Sequence, residues 1–305
     1  MLSFPDRLDA AVRRCRNPVL VGLDPRADML PPGLLGEGAG RGPAELAAAF
    51  ALFCRGIVDV VAPRVAAVKP QAAFFEQLGP AGMAALAEVI GYAREKGLLV
   101  LLDGKRNDIG STAAAYAEGF LGRQSAWGAD ALTVSPYLGD DSLQPFVDVA
   151  VRQAAGVFVL VKTSNPGGRM FQDLVADGRP LYGHVARYVE QLAAATAGTS
   201  GYGVVGAVVG ATYPEQLAAL RAQMPHAWLL VPGYGSQGGK AADVADAFDA
   251  EGRGAIINNS RGIIFAYRQR PYAQRFGAGG WQQAIEAATC DMIEQLRAET
   301  PAGRL

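Results

Sequence analysis

The 305-residue sequence predicts an α/β fold in which eight strand-and-helix units close into a single (β/α)8 TIM barrel. Eight short runs rich in Val, Leu, Ile and Ala are too short and too apolar for amphipathic helices, which is typical of parallel strands buried on both faces. Ala-rich stretches with helical spacing separate the runs, and the first turn, GLDPRAD, lacks the glycine fingerprint of a doubly wound open sheet. The runs cover residues 18–25, 66–71, 98–105, 131–137, 156–164, 206–212, 228–234 and 254–260.

The elements around these runs follow in order. The segment LSFPDRLDAAVRRCRNP, before the first run, predicts an amphipathic lead-in helix, and residues 31–43, PPGLLGEGAGRGP, predict a surface insertion. Asp140 and Asp141 indicate a helix start, because carboxylates accept hydrogen bonds from the free N–H groups there. No repeat or shift of composition divides the chain, so we expect one domain over residues 1–305. Further helices are predicted at 43–61, 80–97, 111–127 and 214–224.

The composition excludes several classes of partner. A formal net charge of −1 provides no basic surface, so we expect neither nucleic acid nor an anionic membrane as a partner. No stretch approaches the ~18 uncharged apolar residues of a membrane-spanning helix. Asp6 and Asp9 interrupt the basic N-terminal segment, which is unlike a signal or transit peptide.

The cysteines and histidines indicate a cytoplasmic protein without a metal site. Cys15, Cys54 and Cys290 are odd in number and lack CxxC spacing, which favours a reducing compartment. The only histidines, His184 and His226, lie in helical or pre-strand segments, so a histidine base or a His-rich metal site is not expected. We therefore expect no metal site.

Polar residues stand where the predicted strands end. In a barrel, chemistry takes place at the carboxyl ends of the strands and in the loops that follow. Each position alone also has an ordinary explanation, because strand ends are exposed. The polar positions are Asp24, Lys69, Asp103, Lys105, Ser135, Lys162, Ser164, Thr212, Tyr234, Gln237, Ser260 and Arg261.

The third run, LLVLLDGKRNDIGST, carries the strongest signal. Asp103 and Lys105 are two residues apart, so on a strand both side chains point to the same side. Lys69 ends another apolar run, where an unpaired buried amine is costly. With Asp108, these residues predict an alternating Lys, Asp, Lys, Asp array in which neighbours of opposite sign keep all four groups charged. The alternative is an ordinary surface ion pair.

The last two loops predict a phosphate site. PGYGSQGG follows the seventh run and NNSRG follows the eighth, where barrels commonly bind phosphate through backbone N–H groups. Arg261 supplies a cation, and Gln237 supplies a side-chain donor. Because glycine also serves ordinary turns, the prediction depends on where these loops lie.

The chain resembles the orotidine 5′-phosphate decarboxylase family, in particular its larger bacterial members. DGKRNDI fits the family signature DxKxxDI, and the agreement extends to GLDP, VKPQAAFFE, LTVSPYLGDDSL, VKTSNPG, VPGYGSQGG and NNSRGI. The resemblance covers nearly the whole chain. It implies a cofactor-free decarboxylation of orotidine 5′-phosphate, the last step of UMP synthesis, by a cytoplasmic homodimer whose active sites are shared across the interface.

The resemblance also implies roles for single residues. Lys69, Asp103 and Lys105 would come from one subunit and Asp108 from its dimer partner, with Lys105 as the proton donor to C6. Shorter family members have Gly-Arg where this chain has Ser260-Arg261, so the implied backbone contact falls here on Ser260. The other implied substrate contacts are Ile109 and Thr112 across the interface, Asp24 at the ribose, Ser164 at the pyrimidine, and Gln237 and Arg261 at the phosphate.

Two other classes of function stay open. One is an aldolase or decarboxylase of sugar phosphates on the same barrel, either metal-dependent with Asp103 as a ligand or dependent on a Schiff base at Lys162. The metal-dependent version needs further acidic ligands near the first two strands, where VKPQ offers an amine. The other class is a non-catalytic barrel that binds a phosphate metabolite.

Overall fold

The predicted closed barrel of eight parallel strands is confirmed in a computed structural model, which describes residues 2–35, 42–235, 239–277 and 279–305. The barrel strands are β1 (Val19–Leu23), β2 (Ala67–Pro70), β3 (Leu99–Arg106), β4 (Ala131–Val134), β5 (Gly156–Lys162), β6 (Val205–Val209), β7 (Leu229–Val231) and β8 (Ala255–Asn259). Consecutive strands pair side by side, and β1 pairs with β8 to close the barrel. A separate antiparallel hairpin, Val175–Ala176 with Arg179–Pro180, follows β5.

Helices alternate with the strands around the barrel. None of the described helices combines the length and the apolar character that crossing a membrane requires. The α-helices are α1 (Phe4–Cys15), α2 (Pro43–Val61), α3 (Ala72–Glu76), α4 (Gly79–Glu95), α5 (Gly110–Phe120), α6 (Asp140–Gln153), α7 (Arg169–Gln172), α8 (Leu181–Ala195), α9 (Pro214–Gln223), α10 (Arg261–Ile264), α11 (Tyr272–Phe276) and α12 (Trp281–Glu299).

Two helical predictions need correction. The stretch 111–127 is helical only as far as Phe120, because Leu121 is extended and bridges to Ala129. Between β7 and β8 the described residues form a 3-10 helix, Ala242–Ala247, where the Ala-rich pattern predicts an α-helix. Asp249 accepts hydrogen bonds from two backbone N–H groups further along the chain, at Glu251 and Arg253, and so turns the chain toward β8.

The inward-facing side chains fill the amino-terminal end of the barrel. Leu20, Leu101 and Phe158 belong to this interior cluster, which the confirmed lead-in helix α1 closes from below with Phe4 and Leu8. The rings of Phe4 and Phe158 meet edge to face with their centroids 6.1 Å apart. A packed amino-terminal end leaves the carboxyl end of the barrel for a cavity.

The outward-facing strand residues form a second core with the helices. On β1, Val19, Val21 and Leu23 alternate with the inward-facing Leu20, as expected for a strand that is buried on both faces. The predicted insertion, residues 31–43, connects β1 with α2. Its residues 36–41 lie outside the described residues, and Pro32, Gly33 and Pro43 are exposed.

Candidate active site

A cavity of about 400 Å³ opens at the carboxyl end of the barrel. All eight strands or the loops that follow them contribute to its lining, and Leu160, Val208 and Leu230 make the side formed by β5 to β7 apolar. The strand-end residues that line the cavity as predicted are Asp24, Lys69, Asp103, Lys105, Ser164, Tyr234, Ser260 and Arg261.

Asp103 is the centre of the charged part of the cavity. One carboxylate oxygen accepts hydrogen bonds from Lys69 Nζ at 2.6 Å and Gln71 Nε2 at 3.0 Å. The other oxygen accepts from Lys105 Nζ at 2.6 Å and Thr133 Oγ1 at 2.9 Å. Both oxygens are therefore already engaged by two ammonium groups and two neutral donors, which disfavours Asp103 as a metal ligand.

The two lysines keep this buried carboxylate ionised. Burial alone would raise the pKa of Asp103, but the attraction of Lys69 and Lys105 and their hydrogen bonds outweigh it and lower the pKa far below its usual range. For the Lys69 amine the effect of burial has the opposite sign and lowers the pKa, but the attraction of Asp103 and Asp24 outweighs it and raises the pKa above its ordinary value. The Asp103 carboxylate and the Lys69 ammonium are therefore both charged at neutral pH.

The backbone at Lys105 is held in an uncommon conformation. Its φ is +45°, in the left-handed region, which costs about 1–3 kcal/mol for a residue with a side chain. The pairing of β3 with β4 shifts register between Leu102 and Arg106, and Lys105 N donates to Thr133 Oγ1 at 2.9 Å within this irregular stretch. The surrounding contacts thus hold the ammonium of Lys105, whose side chain is 47% exposed, against Asp103 at the cavity wall.

Three predicted residues do not reach the cavity of their own chain. Asp108 accepts the N–H of Ile109 and makes no ion pair among the described residues, and it does not line the cavity. Ile109 and Thr112, at the start of α5, are exposed. Their placement outside the cavity agrees with a site completed by a second subunit, and their roles stay predictions.

The β8 end of the cavity carries Ser260 and Arg261. Gly22 on β1 lies so close that a Cβ there would stand 2.7 Å from Ser260 Cβ. The Ser260 side chain therefore fits at this place because residue 22 is glycine. Asn258 Oδ1 and Ser260 Oγ are buried with no hydrogen-bond partner among the described residues. Gln237 lies outside the described residues, so its phosphate contact stays a prediction.

Ser164 reaches the cavity because Gly210, the residue after β6, leaves room for it. A Cβ at Gly210 would stand 2.8 Å from Ser164 Cα, so only glycine allows this close approach. Thr212 Oγ1 donates to the Ser164 carbonyl at 3.3 Å. Thr212 and Ser135 follow the ends of β6 and β4 as predicted, but neither lines the cavity.

Lys162 also faces away from the cavity, which removes the structural basis for a Schiff base there. A register shift in β5 between Leu160 and Lys162 turns the side chain outward, where its ammonium pairs with Asp173. The Nζ atom lies 5.3 Å and 5.2 Å from the ring centroids of Tyr182 and Tyr213. Lys162 is 1% exposed and fastens the segment after β5 to the barrel.

Replacing Lys162 by Ala is expected to lower the free energy of unfolding, measured in urea, by about 2–4 kcal/mol, because it leaves a cavity and an unpaired Asp173. Lys96→Ala is the matched control: Lys96 pairs with Asp59 at 2.6 Å and lies over Tyr92, but its side chain is 42% exposed. We expect that control to unfold almost like the parent. Wild-type stability of Lys162→Ala, or borohydride trapping of substrate on Lys162, would contradict a structural role.

Five further polar residues line the cavity that were not predicted from the sequence: Gln71, Thr133, Thr163, Asn165 and Asn258. Thr133 and Asn258 stand on barrel strands, whereas Gln71, Thr163 and Asn165 directly follow the ends of β2 and β5. The sequence contained a signal for two of these residues in the spacing of two along a strand: Gln71 is two residues after Lys69, and Asn258 is two residues before Ser260. Extending the two-residue alternation along every strand finds these positions.

The fold and the site define a (β/α)8-barrel enzyme whose charged centre is a buried carboxylate between two ammonium groups. The chain belongs to the orotidine 5′-phosphate decarboxylase / HUMPS family, which matches residues 19–276. It is 55% identical over 301 residues to an orotidine 5′-phosphate decarboxylase of Rhodopirellula baltica, covering 97% of this chain and 100% of that protein.

Solved structures agree with this assignment. The OMP decarboxylase of Leishmania donovani superimposes with a TM-score of 0.75 at 36% identity over 98% of both chains. The UMP synthase of the same organism matches with a TM-score of 0.77 at 38% identity, over 98% of this chain and 57% of that one.

Proposed function

We propose that this chain converts orotidine 5′-phosphate to UMP and CO₂ without a cofactor and that Lys105 delivers the proton. The observation that carries the proposal is the Lys69, Asp103, Lys105 array at the cavity wall, in a chain whose relatives are decarboxylases. When the bond from C6 to the carboxylate breaks, its electron pair stays on C6. The ammonium of Lys105 stabilises that charge and then transfers a proton to C6, which leaves a neutral amine that solvent reprotonates.

Asp103 and Lys69 prepare this step. Because Asp103 is buried and ionised, it disfavours the substrate carboxylate beside it and favours the departure of neutral CO₂. Lys69, 4% exposed and hydrogen-bonded to Asp103, holds that carboxylate in place. Lys105 is then the member of the array with a side chain exposed enough to meet the substrate.

The other end of the cavity suits the ribose phosphate. Asp24 and Ser260 directly follow the neighbouring strands β1 and β8, and Arg261 is the next residue, which offers a cation for the phosphate. We assign Asp24 to the ribose, and Ser260, Arg261 and Gln237 to the phosphate. Phosphate binding remote from C6 supplies energy that is expressed at the transition state.

We also propose a cytoplasmic homodimer in which Asp108, Ile109 and Thr112 complete the partner's site. Ile109 is 54% exposed beside Asp108, and Tyr137, at the end of the neighbouring β4, is 78% exposed. Apolar side chains this exposed next to a predicted cross-subunit residue support an interface there. A cytoplasmic location is inferred because all three cysteines are free thiols.

The direct test is to mix the purified protein with orotidine 5′-phosphate and follow the loss of orotate absorbance. We expect turnover that is unchanged in EDTA, because both oxygens of Asp103 are taken by protein donors. Activity that EDTA abolishes and magnesium restores would favour the metal-dependent sugar-phosphate enzyme. Binding of the nucleotide without turnover would favour the non-catalytic barrel.

A further inference from the structure

The segment after β5 carries an ordered chain of hydrogen bonds that ends at the cavity. Thr163, Ser164 and Asn165 line the cavity, and the chain then turns through α7, whose last residue is Gln172. Asp173, the next residue, pairs with the buried Lys162, so α7 is fastened to the barrel wall. This anchorage places the Gln172 side chain against Thr163.

The direction of these hydrogen bonds follows from one obligatory donor. The backbone N–H of Thr163 donates to Gln172 Oε1 at 3.0 Å, so the amide nitrogen of Gln172 is the end that faces the Thr163 hydroxyl. Gln172 Nε2 donates to Thr163 Oγ1 at 2.8 Å, which leaves the hydroxyl proton free. That proton is donated to Asn165 Oδ1 at 2.7 Å. In the structure the Asn165 amide thus turns Oδ1 toward Thr163 and Nδ2 away from it.

Because Asn165 Oδ1 is occupied, its Nδ2 group is the end left for a ligand. Asn165 lines the cavity and is exposed, and its only side-chain hydrogen bond among the described residues is the one that Oδ1 accepts from Thr163. An amide N–H recognises a carbonyl oxygen, and the pyrimidine of orotidine 5′-phosphate carries two of them. Ser164, which we assign to the pyrimidine, is the adjacent residue.

We propose that Asn165 is a specificity residue that donates a hydrogen bond to a carbonyl oxygen of the base, and that Thr163 and Gln172 are positioning residues that orient it. The inference rests on the proposed function, because it takes the ligand to be a pyrimidine nucleotide. We call the hydrogen-bonded residues Gln172, Thr163 and Asn165 the relay. The relay then binds the base, whereas the residues at the β8 end of the cavity bind the phosphate. Affinity for the base and for the sugar phosphate are therefore expected to respond to different residues.

The test compares the binding of UMP and of ribose 5-phosphate by calorimetry. Asn165→Asp replaces the N–H donor by an acceptor of the same shape, and we expect it to weaken UMP binding tenfold or more. The added negative charge acts on the phosphate of both ligands equally, so ribose 5-phosphate is the internal control. We expect its affinity to change by less than about twofold, since it has no base and a surface charge is well screened.

Thr163→Val tests the positioning step, because valine keeps the shape and removes the hydroxyl. We expect a loss of about fivefold for UMP alone, and no further loss when the change is added to Asn165→Asp, since Thr163 acts through Asn165. Equal losses for both ligands, wild-type UMP binding by Asn165→Asp, or a wild-type protein that binds UMP no better than ribose 5-phosphate would overturn the inference. Turnover of orotidine 5′-phosphate by the wild type is measured separately. A protein that binds UMP through Asn165 but does not turn over orotidine 5′-phosphate would contradict the decarboxylase assignment and still support the role of Asn165.

Discussion

Replacing Lys105 by Ala is expected to abolish decarboxylation while the barrel stays folded. Lys105 is the only group we assign both to stabilising the charge on C6 and to supplying the proton, so its loss is expected to lower kcat by at least about a thousandfold, or ~4 kcal/mol in activation free energy. The side chain is 47% exposed and its hydrogen bond is to Asp103, so little packing is lost. The measurement is kcat, with urea unfolding beside it.

Lys96→Ala again provides the control, because it removes a paired lysine on α4's C-terminal side, remote from the cavity. That variant is expected to keep full activity. If kcat of Lys105→Ala lies within about tenfold of the parent value, a difference of only ~1.4 kcal/mol in activation free energy, the assignment of Lys105 as proton donor is wrong.

Mixing Asp108→Asn with Lys105→Ala is expected to restore activity that neither variant has alone. If Asp108 completes the partner's site, a mixed dimer contains one site with both defects and one site with neither. At equal mixing, random exchange makes about half of the dimers mixed, so about a quarter of all sites are wild-type. The experiment measures turnover after subunit exchange has been demonstrated.

A matched pair keeps this experiment specific. Asp103 and Lys105 touch within one chain, so Asp103→Asn mixed with Lys105→Ala leaves every site with one defect and is expected to stay inactive. If Asp108→Asn and Lys105→Ala also fail to complement despite exchange, Asp108 serves the site of its own subunit. The shared-site dimer would then be withdrawn.

Much of this fold was predictable because strands buried on both faces leave continuous apolar runs in the sequence. Each of the eight runs coincides with a barrel strand to within one residue or overlaps most of it, and the lead-in helix is present because its apolar stripe closes the barrel at Phe4 and Leu8. The segment between β7 and β8 could not be predicted in the same way. Its Ala-rich pattern suits an α-helix, but the described residues form a 3-10 helix that ends at Ala247, after which Asp249 accepts hydrogen bonds from the backbone and turns the chain toward β8.

The charged array was equally predictable from the two-residue spacing of Asp103 and Lys105. The same spacing gave no warning about Lys162, which follows the inward-facing Leu160 by two residues and yet points outward. The relay from Gln172 to Asn165 also had no sequence signal, because it joins residues through the folded path of α7.

Local sequence patterns were enough to predict the barrel, the end at which its polar residues gather and the three charged groups of one chain. Which strand-end side chains enter the cavity, and how their polar atoms are oriented, depends on the folded structure. A register shift in a strand, as at Lys105 and Lys162, arises from pairing with neighbouring strands and not from the local residues. The orientation of the Asn165 amide is likewise decided in the folded protein, because its partner Thr163 is itself hydrogen-bonded to Gln172 across the turn through α7.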